Sequence, residues 1–96
     1  PRVLDFAESL PTRVVSRVAE LDRIAAAAAE NWRMSRIAVV ERNILRIAIA
    51  ELTEGIVPPR VAIDEAVQLA HWFGGARAPA FVNGVLDRVA RTLGRL

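Results

Sequence analysis

Between Ile37 and Glu54 the apolar residues recur at helical spacing. Val40, Ile44, Leu45, Ile47, Ala48, Ile49 and Leu52 cover about 200° of one helix when residues are placed 100° apart. An arc that broad cannot be buried against a single neighbour, so other segments must pack on at least two sides. Arg42, Asn43, Arg46, Ala50 and Glu54 share the remaining, more polar face. Gly55 ends the helix, and Val57-Pro58-Pro59 prepares the next one. This chain is built around one central helix.

The flanking segments read as helices of the same kind, divided by proline and glycine. Residues 3–10 place Val3, Leu4, Phe6, Ala7 and Leu10 on an amphipathic turn or two. Pro11 should kink or restart the helix, which should continue to about Ala19 with Val14, Val15 and Val18 inward. Leu21-Asp22 reads as a turn, with Asp22 capping an alanine-rich helix that ends near Asn31. Its alanines imply close helix approach, and Trp32 should anchor the Asn31–Ser35 connection. From about Pro59 to Phe73 the inner stripe is Ile63, Ala66, Val67, Ala70 and Phe73, and Asp64, Glu65, Gln68, His71 and Trp72 face out. Gly74-Gly75 is a stop signal. The last helix runs from about Pro79 to Leu93, with Val82, Val85, Leu86, Val89 and Leu93 inward. Asn83, Asp87, Arg88, Arg91 and Arg95 fall on its outer face. The expected fold is all-α, a compact antiparallel bundle of about five helices forming one domain over residues 1–96.

Composition narrows the function classes. The 96 residues include no cysteine, which excludes disulfides, thiolate metal sites and a cysteine nucleophile. No apolar run reaches the roughly 18–20 residues that span a bilayer, and no signal peptide is visible. A soluble, cytoplasmic protein with no membrane partner is expected. All 13 basic residues are arginine, which forks onto phosphate and stacks on flat rings, although GC-rich coding produces the same bias. The formal net charge of +2 permits contact with nucleic acid without requiring it.

Catalytic chemistry finds no foothold. His71 is the single histidine, and no second ligand is spaced to share zinc with it. Asp64 and Glu65 are adjacent, so they diverge by about 100° and make a poor acid–base pair. Ser9, Ser16 and Ser35 lack a nearby base, and the five glycines never form a phosphate loop. The chain is read as no enzyme, with no catalytic residue, no metal and no cofactor.

Phe81 breaks the pattern, because its ring falls beside Arg88 and Arg95 on the polar side of the last helix. There it could stack a nucleotide base at the positively polarised start of a helix, with Arg77 and Arg88 near phosphate. Equally, it could staple the Gly74–Ala80 loop to the helix. Gly84 costs about 1 kcal/mol against alanine inside a helix, which suggests a close backbone approach there. Asn83 beside it is expected to bond loop carbonyls.

Three stretches together carry a family resemblance. They are Asn31-Trp32-Arg33-Met34-Ser35-Arg36 with Glu41-Arg42-Asn43-Ile44-Leu45-Arg46-Ile47-Ala48, then Val57-Pro58-Pro59-Arg60-Val61-Ala62-Ile63-Asp64-Glu65-Ala66, then Phe81-Val82-Asn83-Gly84-Val85-Leu86-Asp87. The chain resembles the transcription antitermination factor NusB family over essentially its whole length. The resemblance implies an all-helical RNA-binding protein that pairs with the ribosomal small-subunit protein doubling as NusE. The pair then binds boxA RNA of rRNA operons. By motif, Glu41 matches a position at the partner interface and Phe81 one that contacts RNA, while Asn83 and Gly84 belong to the motif itself. As an exposed acid in the first turn, Glu41 also fits a plain helix-dipole role.

Three departures shape the remaining expectations. The family's arginine-rich N-terminal helix has no counterpart here, so the chain is read as the C-terminal part of a NusB fold. Pro11 interrupts what is usually continuous helix, and Gly75-Ala76-Arg77-Ala78-Pro79 replaces a more acidic and polar loop. Weak RNA binding, retained partner binding and homo-oligomerisation through uncovered apolar surface are expected. The alternatives are an RNA-docking domain of an rRNA cytosine methyltransferase and a helical fragment that only self-associates.

Overall fold

A computed structural model describes residues 10–29 and 37–96. The stretch over residues 3–9, Trp32 and the rest of the Asn31–Ser35 connection lie outside the described residues. Five helices and no strands are found among those described: α1 (Thr12–Val15), α2 (Val18–Ala29), α3 (Val39–Glu54), α4 (Pro59–Phe73) and α5 (Ala78–Thr92). α3 packs against all four others, α4 pairs most extensively with α5, and α2 lies between α3 and α5. The all-α bundle is as expected.

The core is one cluster fed by every helix. Val14, Leu21, Leu45, Ile49, Ile63, Val82 and Leu86 are fully shielded from solvent, joined by Ile44, Leu52 and Val89. Of the apolar arc of α3, Ile44, Leu45, Ala48, Ile49 and Leu52 are buried, and Val40 and Ile47 are partly buried against the core. Asn43 and Ala50, expected on the exposed side, are buried as well, Asn43 to 5% exposure. Asp22 of α2 reaches this face, where it, Asn43 and Arg46 form a bonded cluster, while the buried Arg42 Nε has no hydrogen-bond partner among the described residues. Arg46 Nη1 donates to Asn43 Oδ1 at 3.0 Å, while its Nε and Nη2 donate to the two carboxylate oxygens of Asp22 at 2.7 Å each.

The start of the alanine helix is corrected. Leu21-Asp22 is no turn and Asp22 caps nothing; both lie inside α2. The break falls earlier, at Ser16-Arg17. There Ser16 Oγ donates to the Arg13 carbonyl at 3.2 Å, and the Arg17 N–H donates to the Val14 carbonyl at 2.9 Å. A hydroxyl that bonds its own backbone competes with helix propagation. One turn further on, Leu21 turns into the core and Asp22 reaches Arg46. Pro11 stands at the start of α1, preceding Thr12 with φ −54° and ψ 146°.

Three residues expected inward are exposed: Val15, Phe73 and Leu93. All sit at helix ends, where the bundle no longer surrounds the chain. The bounds of α4 are as read, and its outer face carries Asp64, Glu65, Gln68, His71 and Trp72 in solvent. Trp72 is 66% exposed and meets His71 edge-on with ring centres 6.0 Å apart. α4 ends at Gly74, where the backbone turns extended (φ −96°, ψ −179°), and a side chain has no room there. A Cβ would stand 2.6 Å from that of Ala78 and 2.8 Å from the Ala70 carbonyl oxygen.

One half-buried acid gives a pH-dependent test of this packing. Burial, followed by the charge of Glu65, raises the Glu51 carboxyl above the usual carboxylate range; Arg13 opposes this and Glu54 adds to it. A carboxyl raised in the folded state weakens the fold once ionised, so stability falls as pH rises from its unfolded pKa through its folded one. Glu51→Gln should therefore melt higher than the parent at pH 7. Below about pH 3, where the acid is protonated in both states, the advantage should vanish. Thermal melts at the two pH values check the sign.

Candidate nucleic-acid interface

Phe81 lies in the first turn of α5, half-buried, with its ring packed on the edge of the core. It borders a depression of about 280 Å³ lined by Ala28, Ala29, Ala80, Gly84, Val85 and Arg88. A second depression of about 230 Å³ is lined by Ile24, Ala27, Ala28, Arg88, Val89, Thr92 and Leu93. Ala28 and Arg88 line both, so the two form one groove between α2 and α5. Phe81, Gly84 and Arg88 follow one another at i, i+3 and i+7, which places them on one side of α5. Ala25 and Ala29 are buried where α2 approaches its neighbours, as expected, and a channel runs along the outer edge of the alanine row.

The positions singled out in the sequence divide between two regions. Phe81 and Arg88 come together in the groove, and Arg77 stands exposed one turn earlier, its carbonyl accepting the Phe81 N–H at 3.1 Å. Glu41 lies elsewhere, in the first turn of α3 beside the α4–α5 corner. Its Cγ is 3.5 Å from where a Gly74 side chain would begin. Asn83 is solvent-exposed, and among the described residues its side chain forms no bond to loop carbonyls.

Gly84 does not mark a helix crossing. A Cβ built there meets nothing within 4 Å, because the groove opens over it. The helical penalty of glycine then stands without a packing reason, and Gly84→Ala should stabilise the fold by about 1 kcal/mol. That corresponds to a rise in Tm of about 4–8 °C for a domain of this size. A lower Tm in a circular dichroism melt would restore the crossing.

Two features were not picked out in the sequence. Asp22, Asn43 and Arg46 form a half-buried polar cluster that joins α2 to α3. The i, i+3 spacing of Asn43 and Arg46 was a legible signal, but their partner is 24 residues from Arg46. The α2 wall of the groove carried no signal beyond alanine itself. Among the described residues, no group of three or more histidine, cysteine or acidic side chains is placed to hold a metal ion. None of the described helices is long and apolar enough to cross a membrane.

Comparison with known proteins shows which family the chain resembles. The NusB family model matches residues 1–91. A transcription antitermination protein NusB from Anaeromyxobacter dehalogenans is 44% identical over 91 residues, covering 95% of this chain and 64% of the relative. One from Frankia casuarinae is 51% identical over 87 residues, covering 90% of this chain and again 64% of the relative. The chain thus spans a little under two thirds of the length of these relatives. A solved structure of T. maritima NusB superposes with a TM-score of 0.76 at 38% identity, covering 81% of this chain and 56% of that one. The family model covers residues 1–91 and the superposition 81% of the chain, and on both counts it belongs to the NusB family.

Proposed function

We propose that this chain is a binding module of transcription antitermination that holds boxA-type RNA in the Phe81 groove. It pairs with the NusE-type ribosomal small-subunit protein at its Glu41 end. The observation that supports the RNA reading is a half-buried aromatic ring at the mouth of a groove whose neighbouring walls are alanine and glycine, with Arg88 beside it. A base stacked on an aromatic ring gains about 1–3 kcal/mol whatever its identity. Arg77 and Arg88 then supply one or two phosphate contacts, so binding should weaken only shallowly with salt. Glu41 offers a carboxylate to a basic partner, in a region of the molecule that does not line the groove.

Two separate surfaces make two separable losses. Glu41→Arg should abolish association with the partner protein while RNA affinity holds or rises slightly. Calorimetric titration of each ligand into parent and variant measures this. Loss of both ligands together, or of neither, would sink the two-surface reading.

A further inference from the structure

We infer that the Asp22–Arg46 ion pair is a positioning device for the groove, holding α2 in the register that gives the Phe81 site its shape; this rests on the RNA reading proposed above. The reason lies in what α2 lacks. Its buried residues are Leu21, Ala25 and Ala29, with Ile24 and Ala28 only partly buried against the core, so Leu21 is the one large side chain among its twelve residues that is fully buried. Alanine rows form shallow ridges and bury little area, so they define sliding and rotation of a helix poorly. A planar guanidinium bonded to both carboxylate oxygens admits essentially one geometry.

The pair is built to be rigid. Arg46 Nε and Nη2 each lie 2.7 Å from an Asp22 oxygen, and the remaining side of the guanidinium is fixed by the buried Asn43. The side chains of Arg46 and Asp22 are only 16% and 26% exposed, so water competes weakly for them. Ala29 lies seven residues, about two helical turns, beyond Asp22 on the same side of α2. Ala28 and Ala29 are the α2 residues that line the Phe81 depression. A shift of α2 at Asp22 is therefore carried along a stiff helix to the wall opposite Phe81. Asp22 and Arg46 touch no ligand in this scheme; they act through the wall.

A double-mutant cycle read by two ligands tests the device. Asp22→Asn, Phe81→Ala and the double variant are titrated, well below their melting temperatures, with fluorescein-labelled single-stranded boxA RNA and with the partner protein. Asp22→Asn is expected to weaken RNA binding about three- to tenfold, the scale on which lost pre-organisation is felt. Partner affinity should not move. In the Phe81→Ala background the same change should have no further effect on RNA, because coupled residues fail to add. Arg46→Lys keeps the charge but loses the fork, and should weaken RNA binding as Asp22→Asn does.

The contrary outcomes are distinct. An equal RNA loss in both backgrounds, or an equal fall in partner affinity, overturns the positioning role. So does parental RNA affinity in Arg46→Lys. A loss for Phe81→Ala with none for Asp22→Asn overturns the positioning role alone. Undiminished affinity in Phe81→Ala overturns the groove reading and the positioning role with it.

Discussion

Phe81→Ala is expected to weaken RNA binding by between about 5- and 150-fold, the equivalent of one lost base stack. The ring also packs on the core edge, so alanine will cost some stability. Phe81→Leu separates the two effects, because it keeps apolar volume at the core edge and removes the flat face. Leucine should melt near the parent temperature and yet lose most of the RNA affinity. Fluorescence anisotropy with labelled boxA RNA, paired with thermal melts, reads both quantities. If leucine binds RNA as well as phenylalanine, the ring is a staple and not a platform.

Leu45→Ala should have the largest effect on the fold. Leu45 is fully buried in α3, the helix that touches every other one. Truncating a buried leucine costs about 2–5 kcal/mol, transfer and cavity together. Small domains are stable by only about 0.05–0.15 kcal/mol per residue, so this removes a large share of the total. A drop in Tm of at least about 10 °C follows for a chain of this length. A drop of only a few degrees would mean that the neighbouring helices can close over the space.

Legibility in the sequence followed backbone chemistry. The bounds of α4 could be read from Pro59, which suits a first helical turn, and from Gly74, where a side chain does not fit. The start of α2 could not, because the break at Ser16 depends on a hydroxyl choosing its own backbone over the next helical turn. Asp22 looked like a cap for a related reason: its partner Arg46 is far away in sequence, and spacing sees only near neighbours. Asn43 was placed outside because helical phase sorts polar from apolar. It does not reveal that a polar face is itself covered by another helix. At Phe81 the departure from apolar phasing was informative, since the ring does sit at a groove. Gly84 misled, because a small residue reports space without saying whether protein or solvent fills it.

The alanine wall of the groove has a consequence for variation over time. Ala27, Ala28, Ala29, Ala80 and Gly84 carry the smallest side chains available. Along those edges, substitution can narrow the channel but hardly widen it. A lineage that drifts at these positions therefore moves in one direction, toward closure. Breadth here is a boundary value, and keeping it requires steady removal of every larger residue that mutation supplies.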